Sequence, residues 1–462
     1  MMPMTNRARL IVAGCLAATA FIAACDHVKD QLLQPQNPGI VDPSAVTGAQ
    51  LAGALALRVG ALGRYTQLEN GEVLWEYAGV LTDEFSNADF NTDRINVDQR
   101  QTDPLVQWGY NGVTQSRGFV RDAIASLNKY APDSTTLISE LYTELAFFEM
   151  TLADNFCNGI PLGHTVNPVQ TNGAPLMTQQ VYDSASAHLD TAIAFVKGTD
   201  AASTYVLRAA QVLKARVLVD KGQFAQAAAV VANVPTTYIY DLTLSSSTSS
   251  NGHWTLNNSV ARVSVGDSFY VQGGQSITIK NALPFASAND PRVPVALGSS
   301  LTPKVAAEDG ITTPLWLGQL WKNQYDPMTL ISGVDARLYE AEAKLQANDI
   351  PGMMTILNAL RASTPTIAAT KIPAMPAIAT TPATRDSAID LLFREKAFWT
   401  FGRGQRLPDL RRLVRQYNRT DDKVFPTGTY FKGGNYGTDE NFPVPSSEQT
   451  NPLFHGCIDR KA

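Results

Sequence analysis

Residues 204–234 read TYVLRAAQVLKARVLVDKGQFAQAAAVVANV, the pattern of two short helices folded back on each other. Val206, Ala210, Leu213 and Val217 recur at spacings of four, three and four, which puts them on one face of a helix with 3.6 residues per turn. Polar residues are expected on the opposite face. Lys221 and Gly222 interrupt the run, because glycine enters the left-handed conformation that ends a helix without a Cβ penalty. Phe224, Ala227, Ala228 and Val231 then form a second apolar face, whose small alanines let two helix axes come close. A hairpin of this size cannot bury both faces by itself, so neighbours of the same kind are required.

Two further stretches meet that requirement. In residues 138–197, Leu141, Leu145, Phe148 and Leu152 make one apolar face and Val181, Ala185, Leu189, Ala192 and Val196 another. In 334–362, Leu338, Ala341 and Leu345 stand against Met354, Leu357 and Leu360 across Asn348. With the central hairpin at 203–234, this makes three related helix pairs. Residues 235–330 change period: short apolar or alternating runs at 238–244, 261–265 and 276–279 are separated by Ser, Asn and Gly clusters, as in short strands joined by long loops. The expected fold class is therefore mainly α, a scaffold of tetratricopeptide-like helical hairpins with an irregular, loop-rich region containing short strands. Further helices are expected at 42–67, opening on the Asp42-Pro43 start signal, and at 73–81, 105–130 and 385–401. The polar run 82–103, TDEFSNADFNTDRINVDQRQTD, reads as a long surface loop of the kind that often binds something.

The amino terminus carries a different signal. Arg7 and Arg9 precede an uncharged run at 10–24, the pattern of an export leader and too short for a comfortable membrane span. The run ends Ile22-Ala23-Ala24-Cys25, which resembles a bacterial lipobox; an ordinary signal peptide that happens to contain a cysteine is the alternative. The domain reading is a leader at 1–24, a tether at 25–41 that begins with lipidated Cys25, and a single domain at 42–462. Acyl chains gain about 0.8 kcal/mol per buried methylene, so a multiply acylated Cys25 holds a protein on a membrane. With Cys15 in the leader and Cys25 lipidated, Cys157 and Cys457 remain. In an oxidising compartment the pair reads as a disulfide in preference to a metal site, since no histidine pattern accompanies the two thiols. A net charge of −5 argues against a nucleic-acid partner.

Enzyme signatures are thin. His27, His164, His188, His253 and His455 are dispersed, with no metal-binding or triad spacing. Asp83, Glu84, Asp89 and Asp93 offer carboxylates for glycoside hydrolysis, which needs two of them roughly 5 to 9 Å apart. The run from Asp89 to Asp93 begins like a calcium loop, yet Arg94 and Arg100 stand where glycine and glutamate are required, so it is not an EF-hand. No cofactor and no metal are expected. A sugar site needs an aromatic face beside hydrogen-bonding groups. Asn87, Asp89, Asn91 and Arg94 can supply the bonds, and Trp316, Tyr325, Trp321 or Trp254 a face, although each aromatic also fits a core position.

Several pieces, taken in order, resemble the SusD/RagB family of outer-membrane nutrient-binding lipoproteins. They are the lipobox at Cys25; Leu152-Ala153-Asp154 followed by Gly159-Ile160-Pro161-Leu162; Leu207-Arg208-Ala209-Ala210 with Gly222-Gln223-Phe224; Asn289-Asp290-Pro291-Arg292; Leu338 to Ala343; Arg394-Glu395 with Arg406, Asp409, Leu410, Arg411 and Arg412; and Pro443-Val444-Pro445 with Glu448, Asn451 and Pro452. Phe401-Gly402-Arg403-Gly404 departs from the family's usual Phe-Glu-Gly, and the cysteine pair is not a general family feature. The resemblance implies a non-enzymatic cell-surface lipoprotein, lipid-anchored in the outer membrane. It implies capture of a glycan or other small nutrient and delivery to a SusC-like TonB-dependent barrel transporter. A helical-repeat interaction module and a secreted hydrolase are the rival readings.

Overall fold

The computed structural model of the chain describes residues 50–68, 74–166 and 169–462. The leader, Cys25, the tether and the Asp42-Pro43 start signal lie outside the described residues. The helices are α1 Gln50–Leu62, α2 Leu74–Val80, α3 Thr92–Asp98, α4 Tyr110–Tyr130, α5 Thr135–Asn155, α6 Thr178–Phe195, α7 Ala201–Asp220, α8 Phe224–Val231, α9 Gly333–Gln346, α10 Ile350–Ala362, α11 Arg385–Trp399 and α12 Arg406–Tyr417. The strands form small antiparallel two-stranded sheets. The fold is mainly α, with helical hairpins as its scaffold.

All three hairpins are present, as α5/α6, α7/α8 and α9/α10. In the central one, Asp200 caps α7 by accepting from the Ala202 and Ser203 N–H groups, and Gly222 ends it at a φ of 73°. Val206, Ala210, Leu213 and Val217 are buried, as are Ala227 and Val231 on α8. The polar face of α7 is a correction to the sequence reading: Lys214, Arg216 and Asp220 are buried as well. The helix packs against α5, α6, α8 and α9, so both of its faces are covered. Its long side chains find partners there: Lys214 Nζ donates to Ser186 Oγ at 2.7 Å, and Arg216 pairs with Asp154 on α5 at 2.5 Å. In the third hairpin, Ser332 and Asp335 form a capping box at the start of α9, and Asn348 makes the turn at a φ of 58°.

Helices α11 and α12 bring charge into this scaffold. Lys396 and Arg412 converge on Glu342 of α9, with Asp409 and the Tyr417 hydroxyl beside them. Burial alone would raise the Glu342 carboxyl, but Arg412 and Lys396 outweigh it and hold it at about 2. Cys157, just past α5, is joined to Cys457 with a Cα separation of 5.9 Å, which fastens the carboxy-terminal tail to the end of that helix.

Some expected elements differ, the first helix ending at Leu62 instead of 67. The helix expected from 105 starts at Tyr110, because Trp108 and Gly109 take positive φ. The run 82–103 is not a surface loop: Thr82, Asp83, Glu84, Phe85, Ser86, Asn87, Ala88 and Asp89 are all buried. Within it Phe85–Asn87 pairs with Val263–Val265, and α3 follows. A polar segment can be interior when its polar groups are matched there, and here Arg406 and Lys432, far along the chain, bond Asp83 and the Asn87 carbonyl.

Candidate ligand face

The acidic start of this segment is used internally. Arg406 donates to both oxygens of Asp83, at 2.7 and 2.8 Å, and the Leu283 N–H adds a third bond at 2.7 Å. Glu84 Oε1 accepts the Gly402 N–H at 2.8 Å, while burial pushes its carboxyl up to about 8 against the opposing pull of that N–H and of His253. At neutral pH Glu84 is therefore mostly uncharged. His253 pairs with Glu76 and also approaches the Gly402 carbonyl at 2.7 Å. These groups brace the junction after α11. Gly402 is needed in it, since a Cβ there would lie 2.2 Å from the Trp321 ring, and Trp321 is a core residue rather than a platform.

From Asn87 the chain turns outward. The Asn87 N–H donates to Asp98 Oδ2 at 2.9 Å, and its side-chain amide donates to the Asp89 carbonyl at 2.9 Å. Burial pushes the Asp98 carboxyl up to about 7. Asp89 Oδ1 accepts the Asn91 N–H at 3.0 Å, and its Oδ2 accepts from Arg94 Nε at 2.9 Å. Asn91 Oδ1 caps α3 through the Arg94 N–H at 2.9 Å. Asn87, Asp89, Asn91 and Arg94 are thus one self-bonded unit. Of the four, Asn91 alone is exposed.

The side chain this unit presents is Phe90, which is 68% exposed. Two neighbouring segments add to it. The Ala88 carbonyl accepts the Asp309 N–H at 3.0 Å, and Ile311, two residues on, is 44% exposed. The Ala88 N–H donates to the Arg262 carbonyl at 2.8 Å, and Val260, two residues before, is 40% exposed. Trp316 belongs to the same construction, since its N–H donates to Ser264 Oγ at 3.0 Å on the strand that pairs with Phe85–Asn87. It is only partly exposed and packs on the core. Tyr325 is 40% exposed in a separate turn, closed by Asn323 and Asp326. Trp254 packs partly against the core. Phe90 escaped notice in the sequence because it lies in the run compared with a calcium loop; its signal is an aromatic whose only apolar neighbour at strand or helical spacing is the small Ala88.

Chemically, an exposed ring beside the exposed Asn91 amide suits the apolar face and hydroxyl edge of a sugar ring. Of the acids considered for hydrolysis, Asp83 is paired with Arg406 and Asp89 with Arg94. A water-sized cavity of about 10 Å³ lies elsewhere, among Arg216, Asp220, Lys396, Asp409 and Arg412 of the scaffold. Among the described residues no three His, Cys, Asp or Glu side chains are grouped to hold a metal ion.

Solved structures share this architecture. A SusD superfamily protein from Parabacteroides distasonis superposes with a TM-score of 0.61 over 88% of this chain and 98% of that one, at 15% identity. The chain's fold is SusD-like. A laminarin-binding SusD-like protein matches with a TM-score of 0.58 over 88% and 99% of the two chains, at 16% identity. Surface glycan-binding protein A from Bacteroides uniformis matches with 0.60 over 87% and 99%, at 12% identity. No protein-family model and no curated protein matches the sequence. At these identities the SusD-like likeness is one of fold.

Proposed function

We propose that this chain is a cell-surface lipoprotein of the outer membrane, anchored through Cys25, that binds a glycan and passes it to a SusC-like TonB-dependent transporter. In this reading the chain has a leader at 1–24, a tether at 25–41 and one domain at 42–462, and it is a binding protein rather than an enzyme. The observation that carries it is the exposed Phe90 ring on a rigidly bonded segment of a SusD-like fold. Two proteins of similar fold are described as laminarin-binding and surface glycan-binding, which supports a glycan as the ligand class.

Within the proposed face, Phe90 stacks on the sugar and Asn91 and Trp316 supply further contacts at its edges, while Tyr325 stands apart in its own turn. Asn87, Asp89 and Arg94 keep the segment in shape. The test is retention of the full chain on a panel of soluble oligosaccharides that includes laminarin, together with co-purification from outer membranes. The proposal expects a retained glycan and a co-purifying barrel protein that is lost after Cys25→Ser releases the chain. Absence of both glycan and barrel would sink it.

A further inference from the structure

Asn87 is the residue from which the ligand segment departs, and side chains hold its backbone on both sides, Asp98 at its N–H and the distant Lys432 and Thr312 at its carbonyl. Its N–H donates to Asp98 Oδ2, an oxygen that also accepts from the Tyr430 hydroxyl at 2.9 Å. Its carbonyl accepts from Lys432 Nζ at 2.6 Å and from Thr312 Oγ1 at 3.3 Å. Lys432 Nζ is also 2.5 Å from Asp309 Oδ2, and the Asp309 N–H reaches the Ala88 carbonyl. One ammonium therefore touches the segment before Phe90 and the turn before Ile311.

That ammonium is not a loosely hydrated surface charge. The Lys432 side chain is 9% exposed. Its backbone belongs to a tail hairpin closed by the Tyr430 N–H on the Gly434 carbonyl at 3.0 Å. The hairpin is seated by a small separate core in which Phe431 stacks on Tyr270 with ring centroids 4.1 Å apart. A lysine loses substantial rotamer freedom when fixed, so a single buried geometry requires charge-assisted partners. Asp309 and the Asn87 carbonyl are those partners.

We infer that Lys432 is a positioning residue of the ligand face, fastening the tail hairpin and the Asp309 turn to the Asn87 carbonyl and so fixing where Phe90 and Ile311 stand. This rests on the ligand-face reading proposed above. Hydrogen exchange on the full chain tests it separately from binding. In Lys432→Met, the Ala88 and Asp309 amides exchange at least about tenfold faster while α7 and α9 keep their wild-type rates, and Lys432→Arg restores most of the protection.

Unchanged exchange at both amides in Lys432→Met overturns the inference. If that variant does not fold, Asp309→Asn, which removes the carboxylate but keeps the shape, is read in the same way. On the oligosaccharide panel, affinity for a retained glycan falls in Lys432→Met and returns in Lys432→Arg. Faster exchange with unaltered affinity also overturns the positioning role. A wild-type chain that retains no glycan counts against the ligand-face reading, while the exchange result still decides whether Lys432 fixes these loops.

Discussion

Arg403 donates to both oxygens of the Asp335 carboxylate, from Nη1 at 2.9 Å and from Nη2 at 2.6 Å. Its Nε donates to the Thr329 carbonyl at 2.9 Å, and Asp335 Oδ2 also accepts the Ser332 N–H at the start of α9. The junction after α11 is thereby bolted to the third hairpin at a point where both side chains are buried. Removing one member of such a pair leaves the other charged and unmatched. Arg403→Met is expected to lower the unfolding free energy by about 3–5 kcal/mol, read from urea denaturation. A loss below about 1 kcal/mol would show that the junction is held by packing alone.

Two buried glutamates make opposite contributions to the pH dependence of stability. Glu342, held at about 2 against an ordinary 4.5, stabilises the fold fully above about pH 4.5, and that contribution is lost as pH falls towards 2. Glu144 lies on α5 with neither carboxylate oxygen bonded among the described residues, and burial beside Glu140 raises its carboxyl well above 4.5. Its folded form favours the proton, so stability is greatest below about pH 4.5 and declines as pH rises towards the folded value. Glu144→Gln removes that decline. Its gain over wild type is expected to be near zero at pH 4.5 and about 1–3 kcal/mol at pH 8, measured by urea denaturation at both values. A gain that does not grow with pH would mean that Glu144 is ionised in the fold.

The Cys157–Cys457 bond closes a loop across 300 positions. Around it the Ile458 N–H donates to the Asn158 carbonyl at 2.8 Å, and Asn158 Nδ2 to Asp459 Oδ1 at 2.8 Å. The double variant Cys157→Ser/Cys457→Ser is expected to lose up to about 5 kcal/mol, with faster amide exchange concentrated in the tail. The intact mass of the native chain should be about 2 Da below that of the reduced chain. Two thiols that alkylate freely without reductant would contradict the bond.

The hairpins were legible because their burial is local. Val206, Ala210, Leu213 and Val217 meet neighbours through a spacing visible in one window, and Gly222 and Asn348 mark the turns. The segment 82–103 was not legible, because its partners are remote: Asp83 bonds Arg406 and Asn87 bonds Lys432. Polarity there suggested solvent, whereas Asp83 and Asp89 are matched inside by Arg406 and Arg94. The same local reading misjudged Lys214 and Arg216, whose partners sit on other helices. At the candidate site, the hydrogen-bonding segment was visible as a cluster of Asn, Asp and Arg. Its bonds turn inward, however, and only the structure shows that Phe90 is the group it presents.

The proposed glycan face is tested most directly by calorimetric titration of a panel-retained oligosaccharide into wild type and Phe90→Ala at equal melting temperature. Phe90 is exposed, so its removal should leave the fold intact. The account predicts measurable binding by wild type and an affinity at least about tenfold lower in the variant, equivalent to about 1.4 kcal/mol. Equal affinity in the two proteins would contradict it.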